Sequence, residues 1–322
     1  MECSKTYNWG IVGAGRISRK FVDGLKATRN GRPYAVAARN IDDSQEFARE
    51  KDMPVAYGSY AELAADPQVD AVYIGTVNTM HEANTILMLS HKKPVLCEKP
   101  FAMNRVEVDR MIAAARRNKT FLMEALWTNF LPSMNAVRKI IDGGVIGDIT
   151  YIRADLGFFR AYDPQIRTFN PEVGGSSLLD IGIYPVFLAV TLLGYPDHIT
   201  AQAVRMPDGV DVTSSMFFKW KNGAVAQLFS SYCIQLDCEG VIYGSKGKIT
   251  MHRRFHAPTS ISVTVDGNTQ DYPVTSVGNG YNYEAQEVMD CLDKGLLESP
   301  LFPLAESARF ISLLDAIIQQ FS

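Results

Sequence analysis

The chain has 322 residues, of which 47% are hydrophobic and 21% are charged, and its formal net charge is −3. This length exceeds one ordinary core and predicts two domains, and the composition is that of a soluble globular protein. The absence of a basic excess disfavours nucleic acid as a partner. No apolar run is long enough to predict a membrane span, and the first residues lack the layout of a secretory signal.

The cysteines are scattered and odd in number: Cys3, Cys97, Cys233, Cys238 and Cys291. This usage favours free thiols in a reducing compartment over a disulfide framework, so a cytoplasmic location is predicted. The cysteine and histidine spacings do not match those of a closed zinc site, and no metal is expected.

The first third of the chain alternates short apolar runs with helical patterns. The runs NWGIVG, PYAVAA, AVYIGT, KPVLCE and TFLMEA lie between Tyr7 and about Glu124. Alternation of this kind predicts a doubly wound parallel sheet with right-handed crossovers, the α/β Rossmann architecture. Helix starts carry expected caps, with Ser59 three residues before Glu62 and Asn104 three residues before Glu107.

The pattern changes after about residue 124. A helix is predicted over 129–142, and the apolar segment 176–194 is interpreted as a mainly buried helix. A series of alternating strands separated by hairpin-type turns follows, and two helical patterns close the chain. This predicts an α+β domain with a large, mostly antiparallel open sheet. The predicted domains are therefore residues 1–124 and 125–322.

A glycine-rich turn follows the first predicted strand. Gly13, Gly15 and Ser18 form G-x-G-x-x-S in the segment WGIVGAGRIS. Gly13 allows a tight turn, and Gly15 leaves room for pyrophosphate to approach the N–H groups of the helix start. Together with Arg16 and Ile17, these glycines are predicted to bind a dinucleotide. The alternative is an ordinary tight turn between a strand and a helix.

The end of the second strand bears on which dinucleotide is bound. Arg39 stands where an NAD-specific site usually has a carboxylate for the ribose 2′-hydroxyl. A guanidinium suits a 2′-phosphate instead, so NADP is predicted ahead of NAD. Alternatively, Arg39 is solvated and Asp42 or Asp43 serves the ribose of NAD.

The ends of the next two strands carry further candidates, because ligands bind at the carboxyl ends of parallel strands. Thr76, Asn78 and His81 follow the strand AVYIGT and are predicted to contact the cofactor. Helix capping by Asn78 and a satisfied helix-start histidine are the alternatives. In VLCEKP, Glu98 and Lys99 are also predicted at this rim.

Lys99 and a later tyrosine are the candidates for chemistry. Pro100 restricts Lys99 to an extended conformation, which is expected to project its ammonium into the crevice. In LLDIGIYPV, Asp180 and Tyr184 are four residues apart and share one face if the segment is helical. A surface ion pair of Lys99 with Glu98 is the alternative for the lysine. The alternative for Tyr184 is a core tyrosine, and the alternative for Asp180 is a capping aspartate.

These segments resemble a known family. GIVGAGRIS, VLCEKP, FLMEALWTNFLP and LLDIGIYPV are similar to the glucose–fructose oxidoreductase / inositol dehydrogenase (Gfo/Idh/MocA) family, and the likeness runs over essentially the whole chain. AAR, EALWT and DIGIY most resemble the branch of dimeric dihydrodiol dehydrogenases and NADP-linked D-xylose dehydrogenases. That branch often carries Arg at the position of Asn129.

The resemblance implies specific roles. It implies an NAD(P)-binding Rossmann domain followed by a substrate-binding and oligomerisation domain, with dimers or tetramers formed through the C-terminal sheet. The reaction it implies is hydride transfer between nicotinamide C4 and a secondary alcohol, carbonyl or hemiacetal of a sugar, polyol or trans-dihydrodiol. Lys99, Asp180 and Tyr184 would be catalytic, and Trp127 and Phe158 would line the substrate pocket with Asp180 and Tyr184.

The proposed acid–base chemistry is consistent with elementary electrostatics. A free tyrosine, with a pKa of about 10, is a poor base at neutral pH. A cation about 4 Å away contributes about 4 kcal/mol at an effective dielectric constant of about 20. That interaction would lower the tyrosine pKa by roughly 3, into the range where Tyr184 is a usable base. Asp180 would orient either the substrate hydroxyl or Lys99.

A non-catalytic NADP-binding sensor or partner-binding protein on the same fold is the alternative function. The Lys99, Asp180 and Tyr184 set weighs against it, because a sensor needs no acid–base pair. Arg160 and Arg167 either contact substrate or lie in an exposed loop. The aromatic residues near the candidate pocket suit either a sugar ring or an aromatic diol.

Overall fold

The computed structural model describes residues 5–321, so Cys3 lies outside the described residues. The chain divides into two compact units, Met1–Phe130 with Val277–Ser312 and Leu131–Ser276 with Leu313–Ser322. The second unit therefore differs from the predicted domain 125–322. The segment after residue 276 returns to the first unit, where the Tyr7 hydroxyl donates to Asp293 and the Leu122 N–H donates to the Leu297 carbonyl.

The described part of the chain contains fourteen strands and nine α-helices. The strands β1 to β14 are Tyr7–Val12, Gly31–Ala37, Val55–Tyr57, Ala71–Ile74, Val95–Glu98, Leu122–Ala125, Ile149–Gly157, His198–Arg205, Asp211–Lys219, Val225–Ser231, Gly240–Gly244, Gly247–Met251, Ser260–Val265 and Asn268–Pro273. The helices α1 to α9 are Arg16–Leu25, Ile41–Lys51, Tyr60–Ala65, His81–Ser90, Arg105–Asn118, Pro132–Asp142, Ile183–Leu193, Tyr281–Asp293 and Leu304–Ile318.

The first unit is a parallel Rossmann sheet, as predicted. Its strand order is β3-β2-β1-β4-β5-β6, and every pair is parallel. Strands β4, β5 and β6, which run from the middle of the sheet to one edge, are buried along their whole length, and their sequences are mainly apolar. Strand β3 was not predicted from the sequence, because it has only three residues and all of them are half-buried.

Two predicted helix caps hold local structure in this unit. Ser59 and Glu62 form a reciprocal capping box at the start of α3, as expected. The Asn104 side chain accepts from the Glu107 N–H at the start of α5. The Glu107 carboxylate accepts in turn from the Met103 N–H, one residue before the predicted position.

The second unit is the predicted open sheet. Its strand order is β14-β13-β12-β11-β7-β10-β9-β8, and every pair is antiparallel except β7 with β10. Helix α7 packs on β7 and β10, so this sheet is covered on one face. Strand β14 was not predicted from the sequence, because this edge strand is mostly exposed and lacks an apolar alternation.

The apolar segment before β8 departs from expectation in two ways. Pro171–Leu193 is helical and, by length and composition, apolar enough to cross a membrane, although the sequence analysis predicted no such run. Because 72% of its most apolar window is buried inside the protein, the segment has the burial of a core helix. It is also irregular, since Leu178–Gly182 forms a π-helical turn before α7 begins.

A carboxylate lies in the core of the first unit. Glu124 on β6 is 1% exposed, and its Oε2 has no hydrogen-bond donor within residues 5–321. Burial, as the largest cause, raises the pKa of Glu124 from 4.5 to about 7. The folded protein therefore keeps this proton over a pH range in which the unfolded chain has already released it. Stability must fall as the pH rises through that range.

We expect Glu124→Gln to remove this pH dependence. Between pH 4.5 and about pH 7, the free energy of unfolding of the variant should rise by about 3 kcal/mol relative to the native chain. Denaturant titrations at several pH values, followed by circular dichroism, measure the difference. The exposed Glu46 on α2 provides the control Glu46→Gln. A difference that is independent of pH would contradict an ionisable buried Glu124.

Candidate active site

The glycine turn between β1 and α1 has the shape that a pyrophosphate needs. Gly13 has a φ of +97°, and a Cβ there would lie 3.0 Å from the Gly75 carbonyl oxygen. At Gly15 the nearest atom to an added Cβ is 3.7 Å away, so the space beside this residue is open. No side chain of the described chain caps the first N–H groups of α1. These N–H groups and the open space fit a bound phosphate.

Ser18 completes the turn by allowing helix and sheet to pack closely. It is fully buried, and a Cβ on Gly75 would lie only 2.5 Å from its Oγ. The close contact needs a small residue on α1 and a glycine at the end of β4. Serine thus does the packing work of the glycine or alanine usual at this position.

The predicted cofactor cations are accessible. Arg16 at the start of α1 and Arg39 just beyond β2 are both exposed, and within residues 5–321 neither forms an ion pair. The Arg39 charge acts on the neighbouring Tyr60. Asp42 and Asp43 lie in the first turn of α2, where carboxylates favour the helix N-terminus. Ile17 is half-buried behind the turn.

The polar residues after β4 mainly hold the backbone. His81 is fully buried, with Nδ1 2.8 Å from the Pro100 carbonyl oxygen and Nε2 3.3 Å from the Thr76 carbonyl oxygen. The imidazole therefore ties the loop after β4 to the loop after β5. The Thr76 hydroxyl accepts from Asn84, and Asn78 is buried in a short 3₁₀ turn. A direct cofactor contact by these three residues stays a prediction.

Glu98 controls the conformation from which Lys99 extends. Its Oε1 accepts from the Tyr73 hydroxyl at 2.6 Å, and its Oε2 accepts from the Lys99 backbone N–H at 3.0 Å. The Lys99–Pro100 peptide bond is cis, and the Lys99 side chain is partly exposed. Burial raises the pKa of Tyr73 well above its usual value, so this phenol remains a hydrogen-bond donor.

A second carboxyl group in this region was missed from the sequence. Glu284 on α8 is 0% exposed, and neither of its oxygens has a hydrogen-bond partner in the described chain. Burial, followed by the charge of Glu98, raises the pKa of Glu284 well above its usual range. Both effects favour the protonated, uncharged form of the Glu284 carboxyl group. The available signal was a glutamate on the apolar face of α8, three residues after the buried Tyr281.

Trp127, the candidate substrate residue of the first unit, and Asn129, where the resembling branch often has Arg, are packed against the C-terminal segment of this unit. The Trp127 indole is 6% exposed and stacks on Tyr281, with ring centroids 4.7 Å apart and an interplanar angle of 3°. Asn129 is also buried, and its amide donates to the Leu301 carbonyl at 3.2 Å. Both positions depend on the chain after residue 276, which the sequence analysis assigned to the other domain.

In the second unit, buried hydroxyl groups and one carboxylate anchor the π-helical turn. Asp211 Oδ2 accepts from Ser177 Oγ at 2.9 Å and from the Leu178 N–H at 2.8 Å. Gly182 is the last residue of the turn, and a Cβ there would lie 2.7 Å from Ser230 Oγ on β10. The glycine of D-x-G-x-Y thus permits close packing on the sheet.

Asp180 has a defined partner on each carboxylate oxygen. The Tyr232 hydroxyl donates to Oδ2 at 2.5 Å, and Arg167 Nη2 lies 3.1 Å from Oδ1. Because Asp180 lies in the π-helical turn, the regular four-residue spacing assumed from the sequence does not apply to it. Tyr232 at the end of β10 was also missed, because a single buried tyrosine in an apolar strand is not distinctive.

Tyr184 occupies the first turn of α7. It is 8% exposed, and its ring packs against the His256 imidazole with centroids 4.8 Å apart. Phe158 after β7 is half-buried and contacts Tyr232, with ring centroids 5.9 Å apart. The second unit thus brings Phe158, Tyr232 and Asp180 together as one contiguous group.

Known proteins are similar to this chain over nearly its whole length. The model of the oxidoreductase family with an NAD-binding Rossmann fold matches residues 7–126, and the model of the GFO/IDH/MocA C-terminal domain matches residues 134–250. A trans-1,2-dihydrobenzene-1,2-diol dehydrogenase from Xenopus tropicalis is 38% identical over 322 residues, which cover 97% of each chain. The Homo sapiens enzyme of the same name is 37% identical over 321 residues, covering 96% of this chain and 95% of its own.

Solved structures agree with this relationship. A 3-ketoreductase from Actinomadura kijaniata, in complex with NADP and TDP-benzene, has a TM-score of 0.89 and 25% sequence identity, with 98% of each chain covered. A levoglucosan dehydrogenase in complex with NADH and L-sorbose shares the fold, with a TM-score of 0.87 over 98% of this chain and 96% of its own at 19% identity. The chain therefore belongs to the GFO/IDH/MocA oxidoreductase family, with its NAD-binding Rossmann fold.

Proposed function

We propose that this oxidoreductase moves hydride between nicotinamide C4 and a secondary alcohol, carbonyl or hemiacetal carbon of a sugar, polyol or trans-dihydrodiol. The observation that carries the proposal is the near full-length similarity to trans-dihydrodiol dehydrogenases in a chain that contains Lys99, Asp180 and Tyr184. When bound, the nicotinamide supplies the hydride acceptor or donor. Proton transfer and the orientation of the substrate would be carried out by side chains of the protein.

Tyr184 would exchange the proton of the reacting hydroxyl. The Lys99 ammonium would favour the phenolate form of Tyr184 and so make it a competent base near neutral pH. The Glu98 carboxylate fixes the backbone from which Lys99 extends. Asp180, held by Tyr232 and Arg167, would orient the substrate hydroxyl. A sensor without chemistry would bind NADP but turn over no member of a panel of sugars, polyols and diols.

We expect Lys99→Met and Tyr184→Phe each to lower kcat by about 10²- to 10⁴-fold, the usual contribution of a general acid–base group. Cofactor affinity should change only a few-fold, because neither change touches the glycine turn. The double variant should be little worse than either single one, since the two groups act together. Nicotinamide absorbance gives kcat, and fluorescence titration with NADPH gives the cofactor Kd.

The chain offers matched controls for this experiment. Lys92, whose ammonium donates to the Asn118 carbonyl, and the exposed Tyr162 give the variants Lys92→Met and Tyr162→Phe. Both should keep native turnover. Near-native kcat in Lys99→Met or Tyr184→Phe would remove that residue from the proton transfer.

We propose NADP as the preferred cofactor. The support is an exposed guanidinium, Arg39, one residue beyond the buried Ala38 at the tip of β2. A guanidinium pairs well with the 2′-phosphate that distinguishes NADP from NAD. Asp42 and Asp43 are both in the first turn of α2, where the helix N-terminus already accounts for their charge.

We expect Arg39→Ala to weaken NADPH binding by about tenfold or more, because a charge-assisted hydrogen bond is lost. NADH binding should stay unchanged, since NADH lacks the 2′-phosphate. Titration of intrinsic fluorescence with each reduced cofactor measures both constants. Arg32→Ala, at an exposed arginine of the same strand, is the control. An equal loss for both cofactors would contradict the assignment.

We further propose a homodimer formed through the exposed face of the second unit's sheet. Phe217 on β9 is 40% exposed on this face, beside the half-buried Phe229 on β10. Arg153 and Asp155 on β7 line the same shallow depression. Opposite charges two residues apart, next to apolar rings, suit an isologous interface in which each copy supplies both partners.

We expect light scattering to give twice the 35.7 kDa mass of the chain. Phe217→Asp should shift the protein towards the monomer, because it places a charge at the apolar centre of the interface. Val106→Asp changes another exposed apolar residue, on α5, and should leave the dimer intact. A native monomer, or a dimer unaffected by Phe217→Asp, would rule out this face.

A further inference from the structure

Two positive charges and one negative charge act on the Tyr232 hydroxyl. The charges that act on its hydroxyl are the Asp180 carboxylate and the guanidinium groups of Arg167 and Arg160. Arg167 pairs with Asp180 at 3.1 Å, and Tyr232 donates to the other oxygen of the same carboxylate. Both oxygens of Asp180 are therefore engaged, and Arg160 is a second positive charge acting on Tyr232, against the single negative charge of Asp180.

Arg160 is held in place without an anionic partner. Its guanidinium carbon lies 5.4 Å from the centroid of the Phe158 ring and 5.8 Å from that of Tyr232. Its backbone N–H donates to the Tyr232 carbonyl at 2.8 Å. Within the described residues it forms no ion pair, and its buried Nε has no hydrogen-bond acceptor.

Neighbouring carboxylates already have other partners. Asp208 accepts from the Tyr162 hydroxyl at 3.2 Å, and Asp163 accepts from the backbone N–H of Gln165 at 2.9 Å. An arginine with unmatched donors next to aromatic rings is a ready site for an anion. Its planar edge fits a carboxylate in two parallel hydrogen bonds.

We propose that Arg160, assisted by Arg167, forms an anion subsite beside Asp180 that takes a carboxylate or phosphate group carried by the substrate. The preferred substrates are then sugar acids or sugar phosphates rather than neutral sugars. This inference rests on the proposed function, because it names the substrate class of the same site. The aromatic rings of Phe158 and Tyr232 limit the rotation of Arg160, so little side-chain entropy is lost when an anion binds.

A kinetic comparison at one reacting carbon tests the subsite. Oxidation of D-glucose, D-glucuronate or D-glucose 6-phosphate at C1 would give the lactone, with hydride passing to NADP and the hydroxyl proton passing to the Tyr184 phenolate. We expect kcat/KM for at least one of the anions to exceed that for D-glucose by about tenfold or more, the usual effect of a charge-assisted hydrogen bond. Equal values for all three compounds would overturn the proposal.

Substitution of Arg160 tests whether this residue causes the preference for anionic substrates. Arg160→Met keeps an apolar stem against Phe158 and Tyr232 while removing the charge, and it should reduce the anion preference to about one with little change for D-glucose. Arg160→Lys should retain part of the preference and shows that the site still folds. Arg205→Met, at an exposed arginine of β8, is the matched control and should preserve the preference.

A binding measurement separates failure of the subsite from failure of the proposed reaction. Calorimetric titration of the NADP-loaded protein with D-glucuronate and with D-glucose requires no turnover. Tighter binding of D-glucuronate that Arg160→Met abolishes supports the subsite even if no sugar is oxidised. Equal affinities, or a preference that persists in Arg160→Met, would overturn it even if turnover is seen.

Discussion

The carboxylate of Glu98 is the constraint on which the candidate lysine depends. It accepts from a buried phenol, Tyr73, and from the backbone N–H of Lys99, so it ties the chain that leaves β5 to the core of the sheet. Such a carboxylate is costly to bury unless both oxygens are satisfied. Burial and the charge of Glu98 raise the pKa of Glu284, which favours its uncharged form beside this carboxylate. The lysine backbone is thus positioned by hydrogen bonds rather than by loop shape alone.

The second unit also contains a carboxylate, Asp180, whose two oxygens both have partners within the protein. Asp180 lies in a π-helical turn, whose hydrogen bonds span five residues and not the four of a regular α-helix. The direction of the Asp180 side chain therefore differs from the one that a regular helix would give. Buried serines and Asp211 hold the start of that turn, and Gly182 lets it approach β10. Tyr232 and Arg167 then use both oxygens of Asp180. Arg160 remains as the positive group available to a ligand.

Local sequence patterns predicted the fold well where structure is set by neighbouring residues. The alternation of strands and helices predicted the parallel sheet, and the turn-rich half predicted the open sheet. The failures have physical causes. Strands β3 and β14 are too short or too exposed to show an apolar pattern. The return of the chain after residue 276 to the first unit depends on long-range packing, which no local pattern records.

The sequence by itself determined the fold class, the glycine turn and the candidate residues Lys99, Asp180 and Tyr184, because motifs and hydrophobic periodicity act over a few residues. Only the tertiary structure decided that Glu284 and Tyr281 join the first unit's site region, and that Tyr232 and Arg167 hold Asp180. These partners are distant in sequence. Their interactions follow from burial, which removes water and obliges each polar group to find its partner within the fold.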